Sequence, residues 1–174
     1  SLVVGEISPI AKEDEMLMFP FRQLSATIVG GGSWKATDFS NEAILRKGMK
    51  RLKGKPVYLN HDMRINNEVG YVGEPKWTKS YVNKSGETIP AGIDAPMVID
   101  SVLYPDITRK LSGPNPFIKS SSVTVVFEWE ASHEFESEWD FFSMLGQIGK
   151  DGKMITRVVT SITEFYESSL VWQG

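Results

Sequence analysis

The chain has 174 residues, 41% of them hydrophobic and 24% charged, enough for one domain (1–174) that buries about 70% of the surface its unfolded form would expose. A formal net charge of −3 argues against general attraction to nucleic acid or to an anionic membrane, and no stretch approaches the apolar length that spans a bilayer. With no cysteine, disulfides, thiolate nucleophiles and cysteine-based zinc sites are excluded.

Ser1 in place of methionine and an abrupt Gly174 point to a trimmed or processed chain, and no signal-peptide pattern opens it. Residues 2–30 read as separate extended segments: Leu2-Val3-Val4, then Met16 to Phe19, then Leu24 to Val29. Gly30-Gly31-Gly32 is a turn, because no phosphate-cradling pattern follows it. A helix is predicted between Ser40, its expected N-cap, and the stop at Gly54, with Leu45, Met49 and Leu52 on one face. Arg46, Lys47, Lys50, Arg51 and Lys53 make its other face basic, which is either solvated or a patch for an acidic partner.

Strand patterning resumes at Pro56 to Leu59 and again around Val69 to Val72, with Trp77 beyond. Lys79 to Gly92 reads as a long hairpin loop, Ala95 to Ile99 as a strand, and Tyr104 to Leu111 as a short helix stopped by Gly113-Pro114. The run Ile118 to Trp129 is strongly β-forming. Ser132 to Phe142 is an acidic, aromatic surface excursion, with a short helix near Trp139 to Leu145. Asp151-Gly152 turns the chain into a last β-rich run, Met154 to Trp172. Seven or more short strands with two or three helices imply an α+β, mainly β fold, an antiparallel sheet or barrel with helices outside it.

Two histidines and a triple serine carry the chemistry. His61 closes the apolar run from Pro56, and Ser120-Ser121-Ser122 open the strand of Val123 to Phe127. A serine hydroxyl is a poor nucleophile until a base takes its proton, and imidazole is the side chain suited to that task. Strand alternation puts Ser121 with Val123 and Val125 on the apolar face, and Ser122 and Ser120 on the other. Ser122 is the first choice of nucleophile and Ser120 the second. The same alternation puts His61 on the face of Val57 and Leu59, where it could equally be a partly buried structural histidine. Glu167, its neighbour Glu164 and His133 are the candidates to orient the imidazole, and Arg157 could support an oxyanion or simply pair with a carboxylate. A zinc site from His61, His133 and a carboxylate has no close ligand spacing behind it.

The order of these landmarks carries a resemblance. Asn60-His61-Asp62 is followed by Val69-Gly70-Tyr71-Val72, then Ser122-Val123-Thr124-Val125-Val126-Phe127, then Tyr166-Glu167-Ser168-Ser169-Leu170-Val171. From about Leu24 to Val171 this resembles the prohead (capsid maturation) serine proteases of tailed bacteriophages, which are similar in fold and chemistry to the herpesvirus assemblins. The resemblance implies an assemblin-like, barrel-like β core flanked by helices. It implies His61 as general base, Ser122 as nucleophile and Glu167 as third member, with His133 the alternative because assemblins use a second histidine.

It also implies a serine endopeptidase that cleaves scaffold and major capsid protein, and itself, inside a procapsid assembling in the host cytoplasm. A homo-oligomer is compatible with that role, and no metal or organic cofactor is implied. Two departures stand out: Thr124 occupies a position where the phage pattern has glycine, and the insert from His133 to Lys150 is long. The competing expectations are a non-catalytic β-rich capsid-assembly module that binds an acidic partner, and a hydrolase of some other ester or amide.

Overall fold

The computed structural model of the chain describes residues 15–30, 35–113 and 116–171, so the expected strand at Leu2 to Val4 lies outside them. Among the described residues eleven strands and three α-helices follow one another. They are β1 (Met16–Ser25), β2 (Ile28–Val29), β3 (Thr37–Asp38), α1 (Glu42–Gly48), β4 (Pro56–Leu59), β5 (Glu68–Val72), β6 (Lys76–Thr78), β7 (Tyr81–Val82), β8 (Thr88–Ile89), β9 (Gly92–Asp100), α2 (Pro105–Leu111), β10 (Ser120–Ala131), α3 (Glu138–Met144) and β11 (Arg157–Val171). The fold is mainly β, a curled half-barrel sheet with three helices. Among the described residues no helix is long and apolar enough to cross a membrane.

Nine strands form one sheet, in the order β1-β9-β5-β4-β11-β3-β2, with β10 added to β11 and β6 to β9. Most pairings are antiparallel. β4 and β3, however, run parallel to β11, β4 beside Ser168 to Leu170 and β3 beside Arg157 and Val158. β11 therefore has β10 along one edge and both shorter strands along the other. The curl brings β1 back toward β10, where the Ser121 hydroxyl donates to the Arg22 carbonyl at 2.9 Å. Inside the curl lie Val57, Val72, Ile93, Met97, Ile99, Phe165 and Leu170, all at most 2% exposed.

Several elements differ locally from expectation. Met16 to Ser25 is one strand, because Pro20 sits on a strand that among the described residues is an edge, paired with β9, where a missing N–H costs little. The loop from Lys79 to Gly92 contains its own two-stranded hairpin, β7–β8. α1 is capped by Asn41, whose side chain accepts from the N–H groups of Ala43 and Ile44, while Ser40 instead donates its N–H to Asp38. A 3₁₀ turn, Met49–Leu52, completes the predicted helix, and Gly54 ends it at φ 74°. Leu45 and Leu52 are fully buried, and α1 docks so closely that a methyl at Gly48 would stand 2.9 Å from the Ile162 Cβ. Two of its basic residues have partners within the chain: Arg46 pairs with Glu42 and lies over Trp77, and Lys53 pairs with Glu74.

Candidate active site

The register between β10 and β11 sets the site. Ser122 stands opposite Ser169, and Thr124 opposite Glu167. On the far side of β11, Tyr58 stands beside Ser169. Side chains of one cross-strand row share a face, so Tyr58, Ser169 and Ser122 line up, with Glu167 and Thr124 in the next row on that face. Val123, Val125 and Leu170 take the other face, into the core. That is the division expected from alternation along β10.

On β11 the alternation alone would fail. Phe165 and Glu167 are two residues apart and in a regular strand would point the same way. Tyr166 is extra: Thr124 pairs with Glu167 while Val125 pairs with Phe165, leaving Tyr166 without an opposite number. This β-bulge turns Phe165 into the core and Glu167 toward Thr124, and throws Tyr166 outward at 56% exposure.

His61 arrives by another irregularity. Asn60 and His61 both take left-handed conformations, φ 52° and 59°, immediately after β4. Asparagine tolerates that region; histidine does so less often, and here tertiary bonds hold it. The Asn60 N–H donates to the Leu170 carbonyl at 3.0 Å, and the His61 N–H to the Ser169 hydroxyl at 3.1 Å. The expectation that His61 shares the face of Val57 and Leu59 is thereby corrected. The double left-handed turn carries it to the opposite face, above Glu167.

Glu167 is fully buried, a place where a carboxylate is costly unless its oxygens are satisfied. They are. Oε1 lies 2.7 Å from His61 Nδ1 and also accepts the Thr124 hydroxyl, and Oε2 accepts the Ser169 hydroxyl at 2.6 Å. A carboxylate only accepts, so the imidazole proton sits on Nδ1 and the Nε2 lone pair is left free. The His61 side chain is 38% exposed, so solvent and ligands reach it.

The hydroxyl protons nearest Glu167 are accounted for by its two carboxylate oxygens. Thr124 and Ser169 each have one, and both are spent on Glu167. Among the described residues the half-buried Ser122 hydroxyl takes no hydrogen-bond partner. Its Cβ stands about 5 Å from that of Ser169, the residue that receives the His61 N–H. Ser122 and His61 are thus neighbours in one cluster with Glu167, without a direct hydrogen bond between them. Ser120 lies two residues farther along, opposite Val171.

The remaining candidates lie elsewhere. Glu164 pairs with Lys55 at 3.0 Å, an ion pair that holds its carboxyl below the ordinary range, and it does not meet His61. His133 follows the far end of β10, roughly 35 Å along the chain from Ser122, bonded to Ser132 at 2.7 Å and to Asp151 at 3.1 Å. It cannot orient His61, and the two histidines cannot share a zinc ion. Arg157 opens β11, roughly 30 Å from Glu167, with its guanidinium on the Lys35 carbonyl at 3.3 Å, so it supports no oxyanion at Ser122. Asp62 pairs with Arg64 instead of with His61.

Sequence reasoning missed two participants, Thr124 and Ser169. The signal was present: both alternate in register with Ser122 and Glu167, but only the pairing of the strands shows that they meet. Behind the site, Ser168 is fully buried and donates to Gln23 Oε1 at 2.6 Å, which ties β1 to the row of Val123. Compared with protein-family models, with curated proteins and with solved structures, the chain matches none.

Proposed function

We propose that the chain is a serine endopeptidase of the prohead-maturation type, with an assemblin-like core, that processes scaffold and capsid subunits during procapsid assembly. The observation that carries this reading is the buried Glu167 bonded to His61 Nδ1, in the row next to Ser122, the serine of its own row whose hydroxyl proton is not spent on Glu167. Only the order of the sequence landmarks supports the viral setting.

In this mechanism Ser122 Oγ attacks the scissile carbonyl carbon as its proton passes to His61 Nε2. Glu167 stabilises the imidazolium through Nδ1–H. Collapse of the tetrahedral intermediate breaks the C–N bond, and the amine leaves with the proton from Nε2. Water, deprotonated by the same nitrogen, then hydrolyses the acyl-enzyme. Ser122 and His61 close their hydrogen bond when substrate docks, since such contacts are commonly loose in a free enzyme. Among the described residues β10 pairs with β11 alone, so beyond the contact of Ser121 with Arg22 its other edge has backbone groups for an extended peptide and for an oxyanion.

A serine-directed phosphonate tests this. Stoichiometric labelling of Ser122, lost in Ser122→Ala together with scaffold-peptide cleavage but with unchanged circular dichroism, is the expected result. Labelling at Ser120 would move the nucleophile. A second reading, a non-catalytic assembly module for an acidic partner, draws on the groove between α1 and β11. That groove is about 430 Å³ and is lined by Lys47, Arg51, Thr160, Ser161 and Thr163. Absence of labelling, with salt-sensitive partner binding lost in Lys47→Glu, would favour the module.

A further inference from the structure

The far end of β10 carries a second feature, independent of the catalytic reading. Between Glu128 and Asp140 the chain has six carboxylates (Glu128, Glu130, Glu134, Glu136, Glu138 and Asp140) and no lysine or arginine, although the whole chain carries only −3. The segment folds over the end of the strand as a loop and α3. Ser137 caps the helix by accepting the Asp140 N–H, and Phe141 is buried beneath it. Between loop, helix and strand lies a groove of about 530 Å³.

Its walls are aromatic. Trp129 stacks on Phe141 with ring centroids 5.7 Å apart and planes at 18°, and Phe135 meets Phe141 edge-on, also at 5.7 Å. Glu130, Glu134 and Glu138 line it as well. His133, the only lining side chain able to carry positive charge, is held by Ser132 and Asp151. Beside the groove, Trp139 is 80% exposed and Phe142 47%. Large rings left in water beside a cavity mark a surface that is covered in use. The charge around them selects what covers it.

We propose that this aromatic, acid-rimmed groove docks a basic peptide segment of a partner protein. An arginine side chain fits both halves of the chemistry: its guanidinium stacks on indole and phenyl faces while its N–H groups reach carboxylates at the rim. Neither an acidic peptide nor an anionic membrane would be accepted. Glu130 lies eight residues along β10 from Ser122, roughly 25 Å, so the groove can be filled while the cluster around Glu167 stays open.

The test is fluorescence anisotropy of dye-labelled hexa-arginine, titrated with the whole chain. Saturable, salt-weakened binding is expected, with none for hexaglutamate. Trp139→Ala and the pair Glu134→Gln/Glu138→Gln should each weaken it by about tenfold. The control pair Glu68→Gln/Glu87→Gln, which removes the same charge elsewhere, should leave it unchanged. No saturable binding, or an equal loss in the control pair, overturns the proposal. So does self-association without peptide that Glu134→Gln/Glu138→Gln abolishes, because the groove would then belong to a second copy.

Discussion

Thr124 and Ser169 have no chemistry of their own in the proposed reaction, yet the site depends on them. Each gives its only hydroxyl proton to Glu167, and Ser169 also receives the His61 N–H. Thr124→Val keeps the shape of the side chain and leaves Oε1 one donor short. Ser169→Ala removes a donor from Oε2 and strands a backbone N–H. Each should destabilise the fold by about 1–3 kcal/mol, read from urea midpoints. Unchanged midpoints would show that water substitutes for both hydroxyls. Of this site, His61, Ser122 and Glu167 were legible in the sequence, but their relation was not. Alternation sends His61 to the core face, and only the left-handed pair Asn60-His61, which no local pattern announces, reverses that. The part Thr124 takes was hidden as well, because its bond to Glu167 joins residues 43 apart in the chain.

The elements were more readable than their joins. The position of α1, the turn at Gly152 and the face assignment along β10 all follow from local chemistry. The bulge at Tyr166 does not, since it becomes visible only when β11 is laid against β10. That bulge makes an unusual deletion tolerable. Removing Tyr166 leaves Phe165 and Glu167 adjacent, still opposite Val125 and Thr124, and still on opposite faces. The shortened chain should fold and keep its downfield His61 Nδ1–H proton resonance. Loss of the resonance in the deletion would mean that the extra residue contributes more than spacing.

Acid response belongs to the molecule as a whole. Glu164 is held below its ordinary 4.5 by the Lys55 ammonium, and Asp62 is lowered from 3.8 to about 2 by its bond to Arg64. Both carboxyls titrate lower in the folded chain than in the unfolded one. Their stabilisation is therefore complete above the ordinary values and is lost as pH falls through the folded ones. Urea midpoints should decline from about pH 4.5 downward, slightly because both pairs are solvated, and less so in high salt. Arg64→Ala should flatten the part of the decline between about pH 4 and pH 2; an unaltered curve would remove Asp62 from the account. The curl of the sheet was the least legible feature, because β11, the last strand described, lies between β4 and β10. That placement has a consequence for biosynthesis. A nascent chain that has emerged only as far as residue 156 has β4, with His61 just after it, and β10, with Ser122, but not the strand that stands between them. Until residues 157–171 emerge and fill that gap, the cluster around Glu167 cannot assemble, so under the proposed reading cleavage would wait for the last strand to be made.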